Sequence, residues 1–220
     1  MSKAKKQFIV IGLGRFGSSV LIALARAGHE VLAIDTDEEI VQRMSNIATH
    51  VVTADSTDED TLLALGVKNF DVAVVAIGTN VEANVFTTML LKNLGVPVIV
   101  AKAQNELHAK MLEKIGADRV VNPEYDMGQR VAHNLITNSV LEYIELAPEF
   151  GIVELEAPKS LVGINLIDSN LRTQYEVNIV AIKSGDTVVV PPPPDRPIEA
   201  EDVLVIVGTN EGISALERLD

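Results

Sequence analysis

Along the first 140 residues, short runs of β-branched and apolar residues alternate with segments whose apolar positions recur every three or four residues. That switch of period is the pattern of a parallel sheet covered by helices on both faces. The expected strands are Phe8–Ile11, Val31–Ile34, His50–Thr53, Val72–Ala76, Val98–Ala101 and Arg119–Val121. Six strands suit a doubly wound sheet. Phe16–Ala27 is an expected helix closed by Gly28, and Asn80 is placed to cap a second, Val81–Leu94, closed by Gly95. Thr57-Asp58-Glu59-Asp60 is an acidic helix start, suited to the positive end of the helix dipole, that leads into Leu62, Leu63 and Leu65 and stops at Gly66.

After Glu124 the spacing predicts one long helix from Tyr125 to about Glu145, terminated by Pro148 and Gly151. Beyond it, Ile152–Glu156, Asn178–Lys183, Thr187–Pro191 and Val203–Val207 read as strands, and Ile167–Tyr175 and Ile213–Leu219 as helices. The run Pro191–Pro194 forces an extended conformation that cannot sit in a central strand, so it belongs to an edge or a loop. The expected fold is therefore α/β, a Rossmann-like doubly wound parallel sheet with a smaller α+β C-terminal lobe. Its divisions are residues 1–124 for the sheet domain, 125–148 for a crossover helix and 149–220 for the lobe.

Composition narrows the partners. The chain carries 18 basic and 31 acidic side chains, a formal net charge of −13, which repels phosphate backbones and anionic lipid. The part up to Glu145 holds thirteen basic and eighteen acidic residues and the remainder five and thirteen, so the C-terminal part is the more acidic. No nucleic-acid partner and no direct lipid insertion are expected. No apolar run approaches the ~20 residues of a membrane span, and the basic N-terminus lacks a signal-peptide cleavage site. A chain without cysteine has no disulfide, no thiolate metal site and no cysteine nucleophile, and suits a reducing cytoplasm.

The strongest motif is Gly12-Leu13-Gly14-Arg15-Phe16-Gly17, at the end of the first strand and the start of the first helix. Gly12 permits the tight turn, Gly14 lets a pyrophosphate approach the backbone, and Gly17 lets helix and strand pack closely. Asp35 follows Gly12 by 23 positions at the end of the second strand, beside Thr36, where its carboxylate can accept both hydroxyls of an adenosine ribose and repel a 2′-phosphate. Arg15 can reach a terminal phosphate with a forked donor pair, or is simply an exposed arginine at a helix start. Ligands in open α/β sheets bind outside the carboxyl ends of the strands. That rule adds Asp55 and Ser56, Ile77, Gly78 and Thr79, Lys102 and Gln104, His108 one turn into the following helix, and Glu124. Asp55 suits an adenine amino edge or a helix cap, and Lys102 a phosphate or a carboxylate.

Catalytic constellations are missing. GxSxG, HExxH and GxxxxGK[ST] do not occur, and none of the four histidines lies in the last seventy-five residues, where a dehydrogenase would place its proton-transferring group. The chain is expected not to be an enzyme. The alternative is a small NAD-dependent oxidoreductase with the C-terminal lobe as its substrate domain.

Five stretches together carry a family resemblance: Gln7–Gly17, Phe70–Gly78, Val100–Asn105, Lys114–Arg119 and Pro123–Gly128. The chain resembles the RCK (or KTN) regulatory subunits of Trk/Ktr-type bacterial potassium transporters, most closely the KtrA-type subunits. The resemblance implies a cytoplasmic two-lobed subunit, peripheral at the inner face of the membrane, that gates a membrane potassium-translocating subunit through ATP or ADP, or NAD(H). It implies a homodimer formed through the crossover helix and an octameric ring. It gives Arg15 a phosphate contact, Asp35 the ribose, and Glu124 a place near the terminal phosphates across a dimer, where a divalent cation, Mg or Ca, can sit. Lys102, Gln104 and His108 match pocket positions of the family. It further implies a cyclic di-AMP site in the distal lobe at Ile167, Leu171, Arg172, Asn178 and a proline of the run, Pro193, although the four prolines and Ser169-Asn170 depart from that pattern.

Overall fold

The computed structural model describes residues 6–136 and 140–219, in two units, Met1–Asp126 and Met127–Asp220. In the first, β1 (Gln7–Ile11), β2 (Glu30–Asp35), β3 (His50–Thr53), β4 (Val72–Val75), β5 (Val98–Lys102) and β6 (Arg119–Val121) alternate with α1 (Arg15–Arg26), α2 (Glu38–Met44), α3 (Glu59–Ala64), α4 (Val81–Asn93) and α5 (Glu106–Ile115). The helix α6 (Pro123–Ile136) follows. The strands are parallel in the order β3-β2-β1-β4-β5-β6. Such strands bury both faces, which is why they read as continuous apolar runs. Val10, Val31, Ala33 and Val74 meet Leu21 and Leu24 of α1 and Ile40 of α2 on one face. Ile9, Ile11, Ile34, Val75 and Ile99 meet Leu62, Leu91 and Leu112 on the other. Each such side chain contributes roughly 1.5–3 kcal/mol on burial. The order reverses between β1 and β4, so the turns leaving their ends diverge and open a crevice.

The second unit is an antiparallel sheet in the order β10-β9-β11-β8-β7. Its strands are β7 (Val140–Ala147), β8 (Phe150–Glu156), β9 (Val177–Ser184), β10 (Thr187–Val189) and β11 (Asp202–Thr209), packed with α7 (Leu171–Tyr175) and α8 (Asn210–Leu216).

Three expectations are corrected here. The single helix from Tyr125 to about Glu145 does not form: α6 ends at Ile136, and Val140–Ala147 is a strand. Pro148 and Glu149 close a hairpin to β8, with Ala147 opposite Phe150. At Gly151 a Cβ would lie 2.5 Å from the ring of Tyr143 on the facing strand, so a larger residue there would force that ring to shift. The helix expected from Ile167 begins only at Leu171, because Asn165 takes the amides of Asp168 and Ser169 into a turn and Asn170 sits at φ +52°. The proline run follows the edge strand β10, which stops at Val189 and does not extend to Pro191. Among the described residues no helix is long and apolar enough to cross a membrane.

Candidate functional site

A cavity of about 770 Å³ opens at the switch point. Its walls include Gly12, Gly14, Arg15 and Phe16 after β1, Asp35 and Thr36 after β2, Asp55 and Ser56 after β3, Ile77, Gly78 and Thr79 after β4, Lys102 at the end of β5, and Glu124 at the start of α6. Three expected residues lie off the wall. Gly17 is beneath the turn, where a Cβ would fall 1.8 Å from the Gly12 carbonyl oxygen. Gln104 stands behind Gly78, donating through Nε2 to its carbonyl. His108 is 3% exposed, and its Nδ1 accepts the backbone N–H of Gln104 at 3.3 Å. Burial holds its imidazole below the usual histidine range.

The turn after β1 is built for an occupant. Gly12 has φ +87°, a conformation that favours glycine. Gly14 is in extended backbone, and a Cβ on it would meet no protein atom within 4 Å. Its smallness therefore does nothing for the protein's own packing. Asp37, Asn80 and Asn105 each cap their helix with a side-chain oxygen, whereas α1 has no side-chain cap. Among the described residues the N–H groups of Gly14, Arg15 and Phe16 find no acceptor. A helix N-terminus left open in this way takes an anion.

The carboxylates around the cavity are oriented by backbone. Asp35 accepts from Leu13 N at 2.5 Å and from Asp37 N at 3.0 Å, and its oxygens keep lone pairs for ribose hydroxyls. Asp55 accepts from the hydroxyl of Thr57 at 2.7 Å and from its N–H at 2.9 Å, bonds that hold its carboxyl below the usual carboxylate range. Asp58, not Asp55, stands at the N-cap of α3. Ser56 turns its hydroxyl to Thr87 Oγ1 at 2.8 Å and is largely structural.

Lys102 is 11% exposed and Glu124 68%, with Nζ 2.5 Å from Oε1. The ammonium also lies 5.9 Å from the centre of the Phe16 ring. The hydrogen bond from Lys102 holds the Glu124 carboxyl below its ordinary range. No cluster of three or more His, Asp or Glu side chains fit for a metal occurs among the described residues. Glu124, already paired with an ammonium, does not by itself make a cation site.

Asp37 and Asn84 were missed by the sequence reading. Asp37 lines the cavity and caps α2 through Glu39 N and Ile40 N, and the acidic start Asp37-Glu38-Glu39 was a legible signal. Asn84 is fully buried on α4 and donates to the carbonyls of Ile77 and Lys102. No sequence pattern marks it.

In the second unit a smaller cavity, about 270 Å³, is lined by Ile167, Leu171, Arg172 and Asn178 among others. Pro193 is not on its wall. The loop that carries Pro193 reaches it through the Pro194 carbonyl, which accepts from Ile167 N at 3.0 Å.

The TrkA-N domain family matches residues 8–123, and the TrkA-C domain family residues 151–219. The chain is 50% identical over 214 residues to Ktr system potassium uptake protein C of Bacillus subtilis (strain 168), covering 97% of each. It is 49% identical over 213 residues to Ktr system potassium uptake protein A of the same organism, covering 97% of this chain and 96% of that one. In three dimensions it is similar to the GsuK channel bound to NAD, with a TM-score of 0.69 over all of this chain. That likeness, at 17% identity, is one of fold, and this chain spans 40% of that one.

Proposed function

Because the chain belongs to the family of TrkA-N and TrkA-C domain proteins of Ktr-type potassium uptake systems, we propose that it is their nucleotide-sensing regulatory subunit, without catalysis of its own. It acts in the cytoplasm, bound to a membrane potassium-translocating subunit, as homodimers assembled into an octameric ring. The cavity at the switch point takes ATP or ADP, with NAD(H) as a related ligand. The observation that carries this reading is the pair formed by open space at Gly14 and the uncapped start of α1. Asp35 takes the ribose, the amides of the turn take the pyrophosphate, and Arg15 reads the terminal phosphate. The distal cavity, with Arg172 and Asn178 among apolar Ile167 and Leu171, takes cyclic di-AMP.

A ligand shifts a conformational equilibrium only by its differential affinity for the two states, and a change from 1:99 to 99:1 needs about 5.5 kcal/mol. The phosphate that distinguishes ATP from ADP supplies that difference through charge-assisted bonds, which are roughly twice as strong as neutral ones. The test is calorimetric titration of ATP and ADP into wild type and Arg15→Ala. The variant should weaken ATP more than ADP. Equal losses would show that the guanidinium does not read the terminal phosphate. Failure of the wild type to bind any adenine nucleotide would remove the sensor reading altogether.

A further inference from the structure

Two amide side chains that stand off the cavity wall tie down consecutive carbonyls at the end of β4. Asn84 donates through Nδ2 to the Ile77 carbonyl at 2.7 Å and to the Lys102 carbonyl at 3.1 Å. Gln104 donates through Nε2 to the Gly78 carbonyl, and its own N–H is held by His108. In a trans peptide the C=O and the N–H that follows it point in opposite directions. The peptide bonds here are trans, the one cis bond among the described residues being Val190–Pro191. Fixing the carbonyls of Ile77 and Gly78 therefore fixes the N–H groups of Gly78 and Thr79, turned away from the two amides. Neither N–H has a hydrogen-bond partner among the described residues, and all three residues form the cavity wall. Successive N–H groups facing one side form a concavity for an anionic oxygen. Lys102 Nζ is beside it, 3.3 Å from where a Cβ on Gly78 would lie.

We infer that Asn84 and Gln104 are positioning residues that turn the Gly78 and Thr79 N–H groups into a second seat for phosphate oxygens, distinct from the amides of the turn after β1. The inference rests on the adenine-nucleotide reading and deepens it. A distal phosphate meets Lys102 and two amides from the β4 side of the crevice. Adenosine, which carries no phosphate, gains nothing from them. The seat is therefore a phosphate selector whose aim is set by side chains the ligand never touches.

Titration of the full-length protein with adenosine and ATP reads the ratio of the two dissociation constants. Asn84→Leu, which keeps the number and branching of side-chain heavy atoms and loses both donors, and Gln104→Ala should each weaken ATP about tenfold, the scale of one charge-assisted hydrogen bond, and leave adenosine within about twofold. Leu62→Ala, in the core and not on the cavity wall, should lower Tm and leave the ratio unchanged. That result separates aim from stability. If Asn84→Leu does not fold, Gln104→Ala and the wild-type amides decide. In nitrogen-15 spectra of wild type, the Gly78 and Thr79 amides should shift with ADP and ATP and stay in place with adenosine. Equal weakening of adenosine and ATP, or amides unmoved by ATP, overturns the positioning role while nucleotide binding stands. A wild type that binds no nucleotide overturns both.

Discussion

Gly14→Ala separates what the turn needs from what its occupant needs. Gly12 and Gly17 serve the fold, the first through its φ of +87° and the second through the 1.8 Å that a Cβ would leave to a carbonyl oxygen. Gly14, at φ −63° and ψ −167°, is in backbone open to any residue, and a methyl there touches no protein atom. In the ligand-free protein two small effects oppose each other. A stiffer unfolded chain favours alanine by about 0.4–1 kcal/mol. Alanine is poorer than glycine at an N-cap by a similar amount, about 0.5–1 kcal/mol. The net change is within about 0.5 kcal/mol, so Tm should stay within about 2 °C of wild type for a chain of this size.

With nucleotide present the two proteins should part. ATP at 100 times its dissociation constant stabilises wild type by about 2.7 kcal/mol. A methyl that keeps the pyrophosphate off the α1 amides and weakens binding about thirtyfold removes about 2 kcal/mol of affinity. At the same ATP concentration about 0.9 kcal/mol of stabilisation is left. Thermal denaturation with and without ATP measures both quantities, and Gly17→Ala is the contrast: it should lose several degrees of Tm before any ligand is added. The reasoning is refuted if Gly14→Ala binds ATP as wild type does, because the open space would then not be the ligand's. It is equally refuted if the variant is destabilised alone, because the glycine would then serve the fold.

Other variants test the site's surroundings and the second unit. Asp202 is buried and accepts from Arg196 at 2.9 and 3.0 Å, from Glu199 N at 2.9 Å and from Ser184 Oγ at 2.5 Å. Burial pushes its carboxyl up, and these partners outweigh burial, so the net displacement is downward from 3.8. A depressed folded pKa contributes stability that is full above the unfolded value and lost as pH falls through the folded one. Asp202→Asn should therefore cost about 3 kcal/mol at neutral pH and lose less than wild type on acidification, measured as Tm against pH. His108 has a folded pKa held below 6.5 by burial, so its stabilising contribution is present above 6.5 and lost below it. Protonation also removes the acceptor for Gln104 N. His108→Gln should flatten the fall in ligand-free Tm below pH 6.5, and a slope equal to wild type would show that the ring does not titrate with folding. Tyr143→Phe removes the hydroxyl donated to Asn210 Oδ1 at 3.0 Å and should lower stability by about 1 kcal/mol, read from the denaturant midpoint.

The parallel sheet was legible because a strand buried on both faces must be apolar throughout, and the cavity followed because polar residues cluster where those strands end. The hairpin Val140–Glu156 was not. The segment Val-Leu-Glu-Tyr-Ile-Glu-Leu-Ala satisfies a helical period and an alternating one nearly as well, and pairing with β8 decides between them. Pro148 was rightly read as a break, but it closes a two-residue loop and does not end a helix. His108 and Gln104 were placed near the ligand by position along the chain, yet one is buried and the other braces a carbonyl. Asn84 lay beyond reach for a different reason. In a helix of mixed polarity an asparagine reads as surface, and only the carbonyls of Ile77 and Lys102, brought there by β4 and β5, make its burial tolerable.

A chain of net charge −13 that offers four carboxylates to a cavity is an unpromising host for a polyphosphate. The hydrogen bonds resolve the conflict. Asp35 is taken by Leu13 N and Asp37 N, Asp37 by Glu39 N and Ile40 N, Asp55 by Thr57, and Glu124 by Lys102. Each negative charge is already spread over donors of its own chain. Donors on the wall without an acceptor among the described residues include the Arg15 guanidinium and the N–H groups of Gly14, Arg15, Phe16, Gly78 and Thr79. They stand on the two turns, after β1 and after β4, that face each other across the switch point, while the unspent lone pairs of Asp35 and Asp55 lie after β2 and β3. Carboxylates at one end and a guanidinium with two runs of N–H groups at the other match a molecule with hydroxyls and an amino edge at one end and phosphates at the other. Local hydrogen-bond accounting, not net charge, sets what this site attracts, and long-range repulsion from the acidic surface falls off within a Debye length of about 8 Å at physiological salt.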